Sequence, residues 1–348
     1  MPDISLFQPT LLLGLIEKFT APETLTMLNR IDKTPHPFPT AQWDVIRGSR
    51  AIAAPNVPNA EAHIVPRLGR ETLTAAFLYL REKKVFDATT LYWLRTPGEI
   101  AKVNAEKAVR RELADLNRRF DNFAEFAIWQ MFTGNIDFIG GQTEAGGAVP
   151  DIHVDYKLPA SHKPNAGTSW DTATPKQIIA DVRAWKRLVS RDGQVPAKEA
   201  YASERAINAI FDSFANAGST PAYLLSDRMK DQYYREGILP NFLGIDWKIQ
   251  DAVYDATGAS YSANPTDPSA EKLFLDEDKI VFGNFTDGRP FEMVVGPTAD
   301  LSAPQGFTGK FAKTWTEQDP TGRQYLLEWH FLPVMNKPEQ FVYADVGF

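Results

Sequence analysis

Cysteine is absent from the 348 residues of the chain. The sequence therefore has no disulfide framework, no thiolate metal site and no cysteine nucleophile, and this composition fits a reducing compartment. Long apolar runs are absent as well: no stretch of about 18 apolar residues occurs, so no membrane-spanning helix is expected. The residues that follow Met1 lack the basic start and the cleavage site of a secretory signal peptide, so no export signal is expected.

Motifs of catalysis and cofactor binding are also missing. The chain has no P-loop, no Gly-x-Ser-x-Gly elbow and no His-Glu-x-x-His pair. The glycines at 140–141 and 146–147 do not form a dinucleotide-binding fingerprint, which needs a strand before it and a helix after it. We therefore predict no catalytic residue, no metal ligand and no cofactor, and we expect that the chain is not an enzyme.

The nearest approach to a metal site is a set of polar residues on a predicted strand. His153 and Asp155 lie on the same side of this strand, and Asp151 precedes them. Alternating polar residues on a solvated strand face produce the same pattern, which we prefer as the explanation. His330 follows Trp329 in an apolar strand and is interpreted as a histidine whose hydrogen bonds are satisfied in a core or an interface.

Two groups of carboxylates are candidates for acid–base chemistry. The acidic run 276–278 lies in a turn between apolar residues, and Asp115 and Asp121 lie six residues apart on one predicted helix. Helical geometry places Asp115 and Asp121 on different sides, so the two do not form a pair. Solvated surface charges explain both groups better than catalysis does.

The charge balance argues against nucleic-acid recognition. Lysine and arginine together number 37, aspartate and glutamate 44, and the net charge is −7. Recognition of a phosphate backbone needs clustered cations, which a mildly acidic chain does not offer. The 22 Phe, 11 Tyr and 8 Trp residues provide large apolar side chains for cores and for permanent interfaces.

One stretch predicts an unusually long helix, with bounds of 97–134. Thr96-Pro97-Gly98-Glu99 is typical of a helix start, Gly134 of a helix end, and neither proline nor glycine interrupts residues 100–133. A helix of about 35 residues is on the order of 50 Å long, about three times the usual length in a globular domain. Its predicted apolar face consists of Val109, Leu113, Leu116, Phe120, Phe123, Ala127 and Met131. Its predicted polar face consists of Lys107, Arg110, Arg111, Asp115, Arg118, Arg119 and Asp121.

The residues at 45–75 predict an extended β-hairpin rich in arginine. Alternating apolar residues at 45–48 and 62–65 indicate its two strands. A two-stranded hairpin is marginal in water, and this one has few large apolar side chains with which to bury itself. We therefore expect it to rest on another chain. Its four arginines fit acidic protein surfaces better than nucleic acid, because aromatic residues do not alternate with them; they are Arg47, Arg50, Arg67 and Arg70.

The remaining segments complete an α+β chain. Residues 1–44 contain two short predicted helices, at 11–16 and 20–31, and a proline-rich segment at 35–39 that cannot be helical. We therefore predict that residues 1–44 form an arm. Further predicted elements are a hairpin of 135–140 with 152–158, helices at 174–190, 203–217 and 226–237, and strands at 222–225, 246–254, 279–282, 291–295, 307–315, 325–331 and 341–346.

Three sets of short motifs resemble those of the lambda major capsid protein family, within the tailed-phage major capsid proteins of the Hong Kong 97-type fold. The first lies in the tail: Lys-Thr-Trp-Thr-Glu-Gln-Asp-Pro at 313–320, Leu-Pro-Val-Met at 332–335 and Pro-Glu-Gln-Phe-Val at 338–342. The others are Gly-Thr-Ser-Trp at 167–170 and Val-Phe-Gly-Asn at 281–284. The likeness at the level of motifs, of which these are the examples, extends over about a quarter of the chain, whereas the order of the parts is similar over nearly its whole length.

The resemblance implies a division into an N-terminal arm (1–44), an extended loop (45–75), a peripheral domain with the spine helix (76–160), an axial domain (161–300) and a C-terminal β segment that returns to the peripheral domain (301–348). It implies a major capsid protein that assembles as hexamers and pentamers into an icosahedral shell around double-stranded DNA, without sequence-specific binding. The four loop arginines are then inter-subunit contacts. Assembly in the host cytoplasm, separate scaffold and portal proteins, a decoration protein and the virion as location are implied in the same way; no membrane is involved.

Two departures from relatives are visible. Residues 45–74 contain no lysine, so the isopeptide crosslink known for some relatives has no loop amine here. A long charged helical N-terminal extension is missing as well, which favours a separate scaffold. The alternatives are an encapsulin-like nanocompartment shell, which shares the fold, and a carboxylate-dependent hydrolase, which lacks a catalytic constellation.

Overall fold

A computed structural model describes residues 24–47, 52–53, 70–87, 99–138, 152–216, 226–255, 271–286, 288–318 and 321–348. The chain divides into two compact units. Unit one comprises 1–41, 74–128 and 292–333, and unit two comprises 42–73, 129–291 and 334–348.

The described residues form four α-helices: α1 (Glu99–Phe132), α2 (Pro175–Asp192), α3 (Glu204–Asn216) and α4 (Asp227–Glu236). Short 3-10 helices lie at Ala160–His162 and Pro338–Gln340. The strands are β1 (Lys33–Pro35), β2 (Thr40–Ile46), β3 (Arg70–Ala76), β4 (Leu78–Asp87), β5 (Asn135–Phe138), β6 (Ile152–Asp155), β7 (Glu199–Ala202), β8 (Ile238–Phe242), β9 (Ile245–Ile249), β10 (Val253–Asp255), β11 (Glu271–Leu273), β12 (Lys279–Gly283), β13 (Phe291–Val295), β14 (Phe311–Gln318), β15 (Thr321–Met335) and β16 (Phe341–Asp345).

The sheet of unit one is built around β15. This strand pairs antiparallel with β14 along residues 321–328 and with β4 along residues 322–331. β13 also pairs with β15, and β1 joins β13 in parallel. Helix α1 packs on this sheet: the Phe123 ring lies 6.2 Å from the ring of Phe331 on β15.

The long helix and its apolar face are confirmed. Helix α1 has 34 residues, and the side chains of its predicted stripe are buried from Leu113 onward, apart from the half-buried Phe123. Gly134 ends it with φ 91°, and a Cβ atom there would meet the Cβ atom of Leu158 at 2.8 Å. Glycine is therefore required for both its backbone conformation and its lack of a side chain. The side chain of Val109 and the predicted start at 96–98 lie outside the described residues.

Unit two contains a mixed sheet in the order β16-β12-β7-β9-β8. Only the pairing of β7 with β9 is parallel among the pairings of this sheet that the structure describes. One face of α2 is buried against its core through Ile178, Val182, Trp185 and Val189, and Trp185 stacks on Trp170 with ring centroids 5.7 Å apart. Capping follows the sequence signals: Thr174 and Gln177 form a capping box, and Ser226 caps α4.

Several elements differ from the sequence prediction. Residues 24–31 form turns and not a helix. The predicted strand 246–254 is divided into β9 and β10 because the backbone leaves the sheet at residues 250–252, and β15 is longer than the predicted 325–331. The C-terminal residues contribute to the sheets of both units. Residues 322–331 of β15 pair with β4 in the sheet of unit one, whereas β16 pairs with β12 in the sheet of unit two.

The predicted elements at 11–16, 62–65 and 222–225 lie outside the described residues. In the part of the chain that the structure describes, no helix combines the length and the apolar character needed to cross a membrane.

Candidate assembly surface

The base of the arginine-rich loop is held by a small polar network in unit two. The strands β2 and β3 pair with each other, and the loop leaves them after Ile46 and returns at Arg70. Asp44 accepts a hydrogen bond from the Thr72 hydroxyl at 2.7 Å and forms an ion pair with Arg70 at 3.2 Å. This network fixes the spacing of the two strands where the loop begins.

One face of β2 belongs to the core and the other is open. Trp43 and Val45 are 5% and 1% exposed, and the Trp43 ring lies 5.8 Å from the ring of Tyr156. Because side chains alternate along a strand, Asp44 and Ile46 lie on the opposite face. Ile46 is 42% exposed there. The base of the loop is therefore anchored by apolar burial while its charged face stays accessible.

Arg47 directly follows β2 and makes weak contacts with carboxylates of the residues that the structure describes. Its nearest carboxylate oxygens belong to Glu71 at 3.9 Å and Glu339 at 4.0 Å. The side chains of Arg47 and Arg70 are 55% and 66% exposed. The structure thus brings these two predicted contact residues to the base of the loop; Arg50 and Arg67 lie outside the described residues.

Part of the polar face of α1 in unit one forms ion pairs with β4. Lys84 of β4 contacts Glu112 at 2.7 Å and Asp115 at 2.8 Å, and Arg119 contacts Glu82 at 2.9 Å. The hydrogen bond from Lys84 lowers the pKa of Asp115. These exposed pairs contribute little each, but together they orient the helix on the sheet.

A cavity of about 570 Å³ opens at the start of α3 in unit two. It is lined by Asp171, Ser203, Glu204, Arg205, Asn208, Ala209, Asp212, Asp251, Leu273 and Glu277. Arg205 contacts Asp171 at 2.8 Å and Glu277 at 3.3 Å, and the Asp251 carboxylate accepts the backbone N–H of Glu204 at 3.1 Å. Burial raises the pKa of Asp251. The contacts of Arg205 and Asp251 are those of a charge network and a helix cap.

The polar residues considered for a metal site are divided between two contacts. His153 pairs across the hairpin with Asp137, whereas the Asp155 carboxylate accepts hydrogen bonds from the backbone N–H and the Nζ atom of Lys157, both at 2.8 Å. Asp151 lies outside the described residues. Within the described ranges, no group of three or more candidate ligands is suited to a metal ion.

Asp121 is the clearest exception to the predicted polar face of α1. It is 5% exposed, so its prediction as a solvated charge is wrong. The reason is a nonlocal partner: Lys310, which lies 189 residues further along the chain, donates to the Asp121 carboxylate. No local sequence pattern indicated this pair.

The interpretation of His330 as a satisfied histidine is confirmed. Its Nδ1 atom lies 2.6 Å from the carbonyl oxygen of Pro297, and its side chain is 12% exposed. Among the acidic residues 276–278, Glu277 and Asp278 contact Arg205 and Lys279, and burial raises the pKa of Asp276. Asp276 and Glu277 are nevertheless exposed, so the interpretation of this run as surface charges stands.

Comparison with known protein families shows to which family the chain belongs. The sequence model of phage major capsid protein E matches residues 15–346. The chain belongs to this family of phage major capsid proteins. No curated protein sequence matches it.

Solved structures agree on the fold of this phage capsid protein. It is similar to a prophage capsid protein of Escherichia coli CFT073, with a TM-score of 0.61 and 17% sequence identity, over 98% of this chain and 99% of that one. A phage-related protein from Bordetella bronchiseptica RB50 follows with a TM-score of 0.52 and 11% identity, over 98% and 97% of the two chains. The predicted α+β fold of the Hong Kong 97 type is confirmed.

Proposed function

We propose that copies of this major capsid protein assemble as hexamers and pentamers into the icosahedral shell of a tailed phage that encloses double-stranded DNA. The observation behind the proposal is the match of the capsid-protein family model to residues 15–346, nearly the whole chain. The net charge of −7 suits a container, because DNA is confined without tight or sequence-specific binding to the wall.

The extended loop is proposed as an inter-subunit contact through Arg47, Arg50, Arg67 and Arg70. At its base, Arg47 and Arg70 are more than half exposed while the strand beneath them is anchored by Trp43. A fixed base with exposed guanidinium groups suits docking onto carboxylates of a neighbouring copy, since arginine binds carboxylates through two parallel hydrogen bonds.

The remaining parts follow the same scheme. We assign an arm to 1–44, the loop to 45–75, a peripheral domain to 76–160, an axial domain to 161–300 and a C-terminal β segment to 301–348. Scaffold and portal functions are assigned to separate proteins, a decoration protein is an additional partner, and assembly takes place in the host cytoplasm before the protein becomes part of the virion. A structural role without catalysis completes the proposal.

Charge reversal tests the loop contact. The double variant Arg47→Glu, Arg50→Glu should remain folded, because the contacts of Arg47 with the described residues are long ion pairs of an exposed side chain, worth less than about 1 kcal/mol each, but it should form few or no shells. Circular dichroism measures the folding of the subunit, and electron microscopy of the purified protein measures assembly.

A matched control reverses two exposed arginines of α4, Arg228→Glu with Arg235→Glu, which changes the net charge by the same amount. Shells from this control together with none from the loop variant support the contact. Normal shells from the loop variant contradict it. Dispersed monomers from the unaltered protein, with or without scaffold, contradict the shell proposal itself, and shells that package cellular protein in place of DNA favour a nanocompartment.

A further inference from the structure

Two side chains of α1, four residues apart, meet a third side chain from far along the chain inside unit one. The Nζ atom of Lys310 donates hydrogen bonds to Oδ1 of Asn117 at 2.7 Å and to Oδ1 of Asp121 at 2.5 Å. Asn117 in turn donates from Nδ2 to Oδ2 of Asp121 at 3.0 Å. An amine thus contacts a carboxamide, and one carboxylate contacts both of them.

Water is largely excluded from these three side chains. Asn117 and Asp121 are 3% and 5% exposed, and the Lys310 side chain is 15% exposed. The Nζ atom of Lys310 also lies 4.9 Å from the centroid of the Trp329 ring. Burial lowers the pKa of Lys310, against the opposing effect of Asp121. A larger share of the amine is therefore neutral, and hence nucleophilic, than in water.

We propose that Lys310 and Asn117 become joined by an intramolecular isopeptide bond, with Asp121 as the proton carrier. Asp121 accepts a proton from the Lys310 ammonium, and the neutral Nζ atom attacks Cγ of Asn117. The Nζ–Cγ bond forms, and the Cγ–Nδ2 bond breaks as Asp121 returns a proton to Nδ2. Nζ gives up its second proton to Asp121, and Nδ2 leaves as ammonia, which takes this proton from Asp121 and departs as ammonium. No atom changes its oxidation state.

The position of each group favours this reaction. Reactions between groups that a fold holds at contact distance avoid most of the entropy cost of bringing them together. Proton transfer within hydrogen-bond reach accelerates both the attack and the departure of the leaving group. Asp121 is within that reach of the amine and of the leaving nitrogen at the same time. The bond would connect α1 covalently to the residue before β14, entirely within one subunit.

The mass of the intact protein tests the proposal directly. Loss of ammonia lowers the mass by about 17 Da relative to the value calculated from the sequence. The mass of the unmodified chain, measured for the purified wild-type protein, overturns the proposal without any need for a variant.

Peptide mapping tests where the mass is lost. Trypsin does not cleave after an acylated lysine, so the peptides 112–118 and 280–313 should appear as one branched product. Cyclisation of an asparagine elsewhere gives the same mass loss without a branched peptide, and that result overturns the proposal. Free peptides 112–118 and 280–310 overturn it as well.

Variants separate the roles of the three residues. Asn117→Ala keeps the ion pair of Lys310 with Asp121 and should show the full calculated mass, as should Asp121→Asn. The control Asn208→Ala changes an asparagine that hydrogen-bonds Tyr233 in unit two and should retain the loss of about 17 Da. A loss that persists in Asn117→Ala contradicts the assignment, whether or not Asp121→Asn folds. None of these readouts depends on shell assembly.

Discussion

Glu125 gives the sharpest test of how the N-terminal residues are held in unit one. This carboxylate of α1 is 0% exposed and accepts the backbone N–H groups of Met27 at 3.1 Å and Leu28 at 2.7 Å. The substitution Glu125→Gln keeps the size of the side chain but removes its charge and replaces one acceptor oxygen with a donor. One N–H group then loses its partner, which costs about 1–3 kcal/mol, and the other loses its charge assistance, which costs about 1 kcal/mol more. We expect a loss of about 2–4 kcal/mol for the local structure at 24–31.

Hydrogen exchange measures this loss at the groups concerned. Each 1.4 kcal/mol is a factor of about ten, so peptides that contain Met27 and Leu28 should exchange roughly 30-fold to 1,000-fold faster in the variant. The control Glu112→Gln makes the same chemical change on the same helix, where the side chain is 52% exposed and contacts Lys84. It should change exchange at 24–31 by less than about threefold. Equal protection in wild type and Glu125→Gln would show that the anchoring of this segment does not depend on the carboxylate.

Two further predictions concern a glycine and an acid-sensitive pair. At Gly283 a Cβ atom would meet the backbone of Gln340 and, at 2.8 Å, the Phe341 ring. Gly283→Ala should therefore destabilise unit two by about 1–3 kcal/mol and lower its melting temperature by several degrees. In the control Gly167→Ala the new Cβ atom has nothing within 4 Å, and the melting temperature should be unchanged. For Asp300, burial is outweighed by hydrogen bonds from Ser302 and Lys313, which lower its pKa to about 2. Its stabilising contribution is therefore present above its ordinary pKa of 3.8 and is lost as the pH falls towards 2. In Asp300→Asn the free energy of unfolding, measured by denaturant titration, should fall less between about pH 5 and 2 than it does in the wild type. The same pH dependence in both proteins would contradict this account.

The elements that were predictable from the sequence are those with local signals. The periodicity of α1, the glycine at its end and the capping box of Thr174 with Gln177 each involve residues within one or two helical turns. The segment 24–31 shows the limit of such signals. Its apolar spacing is helical, yet two of its N–H groups are hydrogen-bonded to Glu125, which lies almost 100 residues away.

The same distinction applies to the candidate surface. Alternation at residues 45–48 predicted a strand, whereas β2 covers Thr40–Ile46; Arg47 and Arg70 do lie at the base of the predicted loop. The contact of Arg47 with Glu339 was not predictable, because Glu339 lies near the end of the chain. The burial of Asp121 depends in the same way on Lys310, and no spacing rule connects two residues so far apart.

The late position of β15 in the chain has a consequence for synthesis. This strand pairs with β4 and β14 and joins β13, so the sheet of unit one lacks its middle until residues 321–331 have left the ribosome. Until then the apolar stripe of α1 lacks its contact with β15, and nascent chains with exposed apolar surface are prone to aggregation. Such long-range pairing also slows folding. A shell needs many identical copies, so the yield of folded subunits depends on how far each nascent chain avoids aggregation until β15 has emerged.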